Sequence, residues 1–310
     1  MANKSVYEIV TDRIIEELQK GIIPWRMPWI CVGKGYGKAV SHTNGKPYSL
    51  LNQMLLGKPG EYLTFKQAQK EGGKIKKGAK SRMVCFWKML PLDETYPDGT
   101  PVLDPDTGKQ VRKVIPYLKY YNVFHIDDTE GITPKYTAPV QTPAGTTEVN
   151  DEAERVLHGY IDREGITFEE VESSEAYYSP ALDLIHIPAR KQFNCMAEYY
   201  STAFHEATHS TGHEKRLNRL KLTGKSAAFG GSDYSKEELV AEIGAASICN
   251  TLGIETESSF KNSAAYIQSW LKALRNDQRM IVSAASKAEK AVALIFGPTA
   301  EQDEGEELPF

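Results

Sequence analysis

Residues 205–209 read His-Glu-Ala-Thr-His, and they constrain the fold of this 310-residue chain more than any other stretch. Two histidines four apart can meet at one point only if the segment is helical, because residues i and i+4 then share a face. The apolar spacing of Met196, Tyr199, Tyr200, Ala203, Phe204 and Ala207 predicts such a helix over about 195–211, one side buried. Asn194 is the expected N-cap, and Gly212 stands where a C′ glycine belongs. His205 and His209 then read as metal ligands, with Glu206 between them as general base toward metal-bound water.

Two imidazoles do not complete a metal site. His213 lies about 12 Å along the axis from His205 and beyond the glycine, so it reads as a supporting or capping residue. The metzincin pattern would need a histidine at 215, where this chain has Lys215. The third ligand is expected from a second helix, over about 235–252, which offers Glu237, Glu238 and Glu242. Glu238 and Glu242 share a face, and either can be the ligand. With Glu238 as ligand, Glu242 would hold a histidine N–H in place, as in the E-x-x-x-D pattern of gluzincins. With Ser235 and Glu238 forming an S-x-x-E capping box, Glu242 would be the ligand. Such a site takes zinc, or another divalent metal such as manganese, with one coordination position open. Tyr234 and His213 are the candidates for an oxyanion partner.

The rest of the chain divides by charge. Residues 1–125 hold 20 Lys+Arg against 11 Asp+Glu, whereas the remainder holds 17 against 30. Residues 34–88 carry 12 basic side chains and only Glu61 and Glu71 as acids. The densest part holds Lys74, Lys76, Lys77, Lys80 and Arg82, the expected DNA contacts, and aromatics interleave with the basic residues. Trp25, Trp29 and Trp87 read as core. A proline- and threonine-rich stretch at 131–149 reads as a linker between residues 1–130 and 150–310. The chain is long enough for each part to have its own core.

A front helix is expected from about Ser5 to Lys20. Strand-like runs follow at "RMVCFWKML" and "YLKYYNVFHI", joined by a long loop at 91–110. Behind the linker come a helix, three strands, and helical stretches near 195–211, 235–252 and 262–295. The strand "DLIHIP" is the expected sheet edge, onto which an extended peptide could add. The fold class is therefore α+β. No apolar run is long enough for a membrane span, the first helix is amphipathic rather than a signal peptide, and four scattered cysteines fit a reducing cytoplasm.

The front segments "VYEIVTDRIIEELQKGIIPWRMPW", "NGKPYSLLN" and "YLTFKQAQKEGGKIKKGAKS" resemble the N-terminal domain of the antirestriction protein family ArdC. The back segments "YYSPALDLIHIP", "EYYSTAFHEATHSTGHEKRLNR" and "EELVAEIGAA" resemble the zincin-like metallopeptidase domain of the same family. The resemblance implies a small mixed α/β domain that binds single-stranded DNA, followed by a metallopeptidase-fold domain. It also implies protection of transferred DNA. On that basis a host restriction or defence protein, brought near through the shared DNA, is the expected substrate of the metal site. The rival reading is a DNA shield without turnover, whose metal is structural.

Overall fold

The computed structural model describes residues 4–26, 38–136, 149–220, 232–254 and 264–298. Helix α1 (Val6–Gln19) begins where Ser5 and Glu8 form a reciprocal capping box, and it buries Val10, Ile14 and Leu18 at four-residue spacing. Gly21, at φ +80°, ends it. A 3₁₀ turn (Pro24–Arg26) follows. Then come β1 (Ala39–Ser41), α2 (Leu50–Leu56), β2 (Gly60–Leu63), α3 (Phe65–Lys70), β3 (Lys74–Ile75), β4 (Arg82–Asp93), β5 (Arg112–His125) and β6 (Thr129–Glu130).

The main front sheet has the order β1-β2-β5-β4, so β4 lies at its edge. Buried Asn52 covers part of that edge, its amide donating to the Cys85 carbonyl and accepting from the Cys85 N–H, both at 2.7 Å. Strands β4 and β5 pair without interruption from Arg82↔Val123 to Asp93↔Arg112. The expected loop 91–110 is thus shorter: the ladder runs into it, and bridges Thr95↔Pro101 and Leu103↔Gln110 order its remainder.

The back half starts with α4 (Asp151–Glu164), then β7 (Thr167–Val171), β8 (Tyr177–Ser179) and β9 (Leu184–Pro188). Its sheet order is β7-β9-β8. "DLIHIP" is therefore the central strand, and the edges are β7 and β8. Its apolar residues Leu184, Ile185 and Ile187 are buried, as a strand covered on both sides requires.

Helices α5 (Met196–Ser210), α6 (Ser232–Thr251), α7 (Ala264–Asn276) and α8 (Met280–Phe296) complete the described residues. The stretch expected as one helix over 262–295 breaks at Asp277. That carboxylate accepts from the Arg279 N–H at 3.0 Å, a local bond that competes with helix propagation.

The two halves do not have wholly separate cores. One apolar cluster joins Val10, Ile14, Trp25, Met54 and Cys85 in front to Leu239, Ile243, Trp270, Ile281 and Ala285 behind. The indoles of Trp25 and Trp270 meet edge-on, with centroids 6.0 Å apart. Thr11 adds a hydroxyl bond to the Gln278 carbonyl at 2.7 Å. A second cluster, built from α4, β9, α5, α6 and α8, belongs to the back half alone. Trp29 and residues 137–148 of the expected linker lie outside the described residues. Lys135 and Tyr136, just before them, are tied to Glu71 and Glu61 of the front half.

Candidate metal centre

Helix α5 carries the histidine pair. Its N-cap is Cys195, not Asn194, which lies one residue too early and bonds the Glu198 carboxylate at 3.0 Å instead. Thr211 is the C-cap and Gly212 follows. A Cβ on Gly212 would stand 2.8 Å from the Leu220 side chain, so glycine is needed there for room. His213 is buried, and its Nδ1 accepts from the Lys215 N–H at 3.2 Å, a turn bond beyond the helix end.

Helix α6 crosses α5 closely because Gly244 has no side chain: a Cβ there would come within 2.6 Å of Thr208 Cγ2. This approach brings Glu238 to the histidines. The Nε2 atoms of His205 and His209 are 3.2 Å apart. Glu238 oxygens lie 3.6 Å from His205 Nε2 and 3.3 Å from His209 Nε2. These three residues offer ligand atoms within 4.8 Å of one another, and they are the one such group among the described residues. Separations of this size fit donors about 2 Å from a common centre. Two imidazoles and a carboxylate are a donor set that divalent zinc or manganese accepts.

The α6 carboxylates divide the labour differently from the expected Glu238/Glu242 pair. Glu237 lies 3.8 Å from His209 Nδ1, the ring nitrogen turned away from the cluster. Arg219, almost fully buried, donates to Glu237 at 2.8 and 3.3 Å, and to Thr211 Oγ1 and the Thr208 carbonyl. Glu242 points elsewhere. Arg26 of the front half binds it through Nε and Nη2 at 2.7 to 3.2 Å and also bonds the Tyr266 hydroxyl. A capping box at Ser235 is ruled out, because α6 already begins at Ser232. The Tyr234 side chain lies outside the described residues.

The electrostatics call for a cation. Burial pushes His209 down, but Glu237 and Glu238 outweigh it and raise the imidazole to about 10. Burial also works against ionised Glu238, yet His205 and His209 hold it far below the usual carboxylate range. Glu206 is buried beside them, at 7% exposure, and its charge adds to the field on His209. A proton on His209 or a bound cation can supply the positive charge these carboxylates favour.

Of the expected DNA contacts, Lys74 pairs with Glu130 at 2.9 Å and Lys76 donates to the Asp127 carbonyl at 2.7 Å. Arg82 donates to the Leu56 carbonyl. Lys77 and Lys80 are exposed and form no ion pair among the described residues. Trp25 is core, whereas Trp87 stays 37% exposed against Tyr7. No helix among the described residues is long and apolar enough to cross a membrane.

A histidine-bearing helix crossed by a glutamate-bearing helix, beside a small mixed sheet, defines a zincin-like metallopeptidase fold, and residues 155–287 match that family. Residues 4–124 match the N-terminal domain of anti-restriction factor ArdC. The metal-free crystal structure of the antirestriction ArdC protein from plasmid R388 is 34% identical, with a TM-score of 0.70. That alignment covers 94% of this chain and 97% of the ArdC chain. The Mn(II)-bound ArdC structure gives 31% identity and a TM-score of 0.69 over the same shares. The chain therefore belongs to the ArdC antirestriction family. It is also 34% identical, over 93% of its length, to the DNA primase TraC of Escherichia coli, of which it spans 26%.

Proposed function

We propose that the protein is a cytoplasmic, single-stranded-DNA-binding antirestriction factor whose back half hydrolyses peptide bonds in a host defence protein. The observation that carries the hydrolytic reading is the convergence of His205, His209 and Glu238, with Glu206 buried beside them. A divalent cation, zinc or manganese, would be held by those three ligands and would supply Lewis acidity at an open position.

The protein's own groups do the rest. Glu206 takes a proton from the attacking water and returns it to the leaving amine. Glu237, fixed by Arg219, keeps His209 in the tautomer that turns Nε2 toward the centre. The ArdC structure with Mn(II) supports a divalent ion here. A purely structural metal is usually closed by four protein ligands, and among the described residues only three converge, which favours the open-site reading. The basic front half supports nucleic-acid binding, and a shared strand would bring substrate to the enzyme.

The test compares wild type, Glu206→Gln and His205→Ala for protection of transferred DNA in a restricting host, with metal content measured in parallel. Glu206→Gln should keep the metal and lose protection; His205→Ala should lose both. Protection that survives Glu206→Gln would return the protein to a non-enzymatic shield.

A further inference from the structure

The β4–β5 ribbon sorts its residues by face. Cross-strand partners point to the same side, so Phe86 with Lys119, Lys88 with Tyr117, and Val84 with Tyr121 share one face. The opposite face carries Met83, Cys85 and Leu118, which are buried against α1 and α2. The first face is closed only at its base, where Val84 and Val123 pack with Tyr62 and Leu56. Beyond that point it is open: Tyr117 and Tyr121 are each 49% exposed.

Three features of this open face point one way. Its rings are already set for stacking, with Phe86 and Tyr121 parallel to within 2° at a centroid distance of 4.5 Å. Its cations alternate with those rings, Lys119 lying 5.9 Å from the Tyr117 centroid. Between Phe86 and Leu92, and between Lys113 and Tyr121, the positions on this face hold no acidic residue. Lys88 and Lys119 form no ion pair among the described residues. An apolar partner would bury these ammonium groups without counter-charge, which strongly disfavours it. A strand of stacked bases with phosphates alongside satisfies both the rings and the charges.

We infer that this face of the β4–β5 ribbon is the base-stacking platform for single-stranded DNA, with Phe86, Tyr117 and Tyr121 taking bases and Lys88 and Lys119 taking phosphates. The inference rests on the single-strand reading above and shifts the main contact away from the Lys74–Arg82 segment. Tyr117 and Tyr121 are separated by about 13 Å along the strand, so they hold two different bases. The Phe86–Tyr121 stack is formed before binding, so less conformational entropy is lost when a base meets it.

The experiment titrates the full-length chain with a fluorescent oligothymidylate at several salt concentrations. Tyr117→Ala and Tyr121→Ala should each weaken binding about 5- to 150-fold and leave the salt slope unchanged. Lys88→Gln with Lys119→Gln should lower the slope by about 1.4. Both tyrosines are exposed, and circular dichroism checks that the variants fold. If wild type binds and the two tyrosine variants bind equally well, the platform is wrong. If the loss appears instead in Lys77→Gln with Lys80→Gln, the platform is equally wrong. Wild type that fails to bind the oligonucleotide overturns the single-strand reading itself.

Discussion

Arg26 and Glu242 form a bidentate ion pair, Nη2 to Oε2 at 2.7 Å, between a turn of the front half and the helix that carries the candidate ligand Glu238. Their side chains are only 10% and 13% exposed. Removing one partner strands a buried charge, so Arg26→Ala should cost about 3–5 kcal/mol of stability. Thermal and denaturant unfolding measure this. Arg26→Met with Glu242→Met should recover most of the loss; a double variant as unstable as the single one would mean that the Tyr266 contacts, not the charge pair, dominate.

Glu237 should matter to metal more than Glu242 does. Glu237→Gln replaces the carboxylate that faces His209 Nδ1 with a neutral amide and should lower metal affinity about 10- to 100-fold. Glu242→Gln should leave affinity near wild type, because Glu242 faces Arg26. Competition with a chromogenic chelator reads both. The reverse order would restore the spacing-based assignment of Glu242 as the supporting residue.

Gly244→Ala should push α5 and α6 apart. The new methyl would meet Thr208 Cγ2 at 2.6 Å, and overpacking of this kind costs about 1–3 kcal/mol. Metal affinity should fall as well, since the same approach brings Glu238 to the histidines. Adding Thr208→Ala makes room and should restore part of both quantities.

The Asp183–Arg216 pair gives a dependence on pH. Burial alone would raise the Asp183 carboxyl, but Arg216 and Tyr178 hold it below its ordinary value. A carboxyl lowered in the folded state contributes stability that is complete above its unfolded pKa, about 3.9. That contribution is lost as pH falls through the lower, folded value. Asp183→Asn should therefore be less stable than wild type at neutral pH, and the gap should close below about pH 4. Asn is a fair replacement because residue 183 has φ 48°, which asparagine tolerates. Melting temperatures across this range are the measurement.

The histidine pair and the front helix were legible because each depends on spacing within one element, whereas the choice between Glu238 and Glu242 is made by the close crossing of α5 and α6 at Gly244. The Ser5–Glu8 box and the Val10, Ile14, Leu18 stripe lie within one helix, and His205 and His209 within another. The roles of Glu237 and Glu242 were not legible. They are fixed by Arg219 and by Arg26, the latter 216 residues away in sequence. The rank of "DLIHIP" within its sheet was also hidden, because a strand's own residues do not say which neighbours pair on either side. The ribbon face was hidden for a related reason: Lys88 and Tyr117 become neighbours only through the β4–β5 register.

The shared core has a consequence for inheritance. A recombination crossover between the halves would separate Val10 and Trp25 from Ile243 and Trp270, leaving apolar surface bare on both products. Exchange of either half alone is thus costly, and the pair should move between genes as a single cassette. The match to the much larger TraC primase has that form, with 93% of this chain aligned as one block inside it.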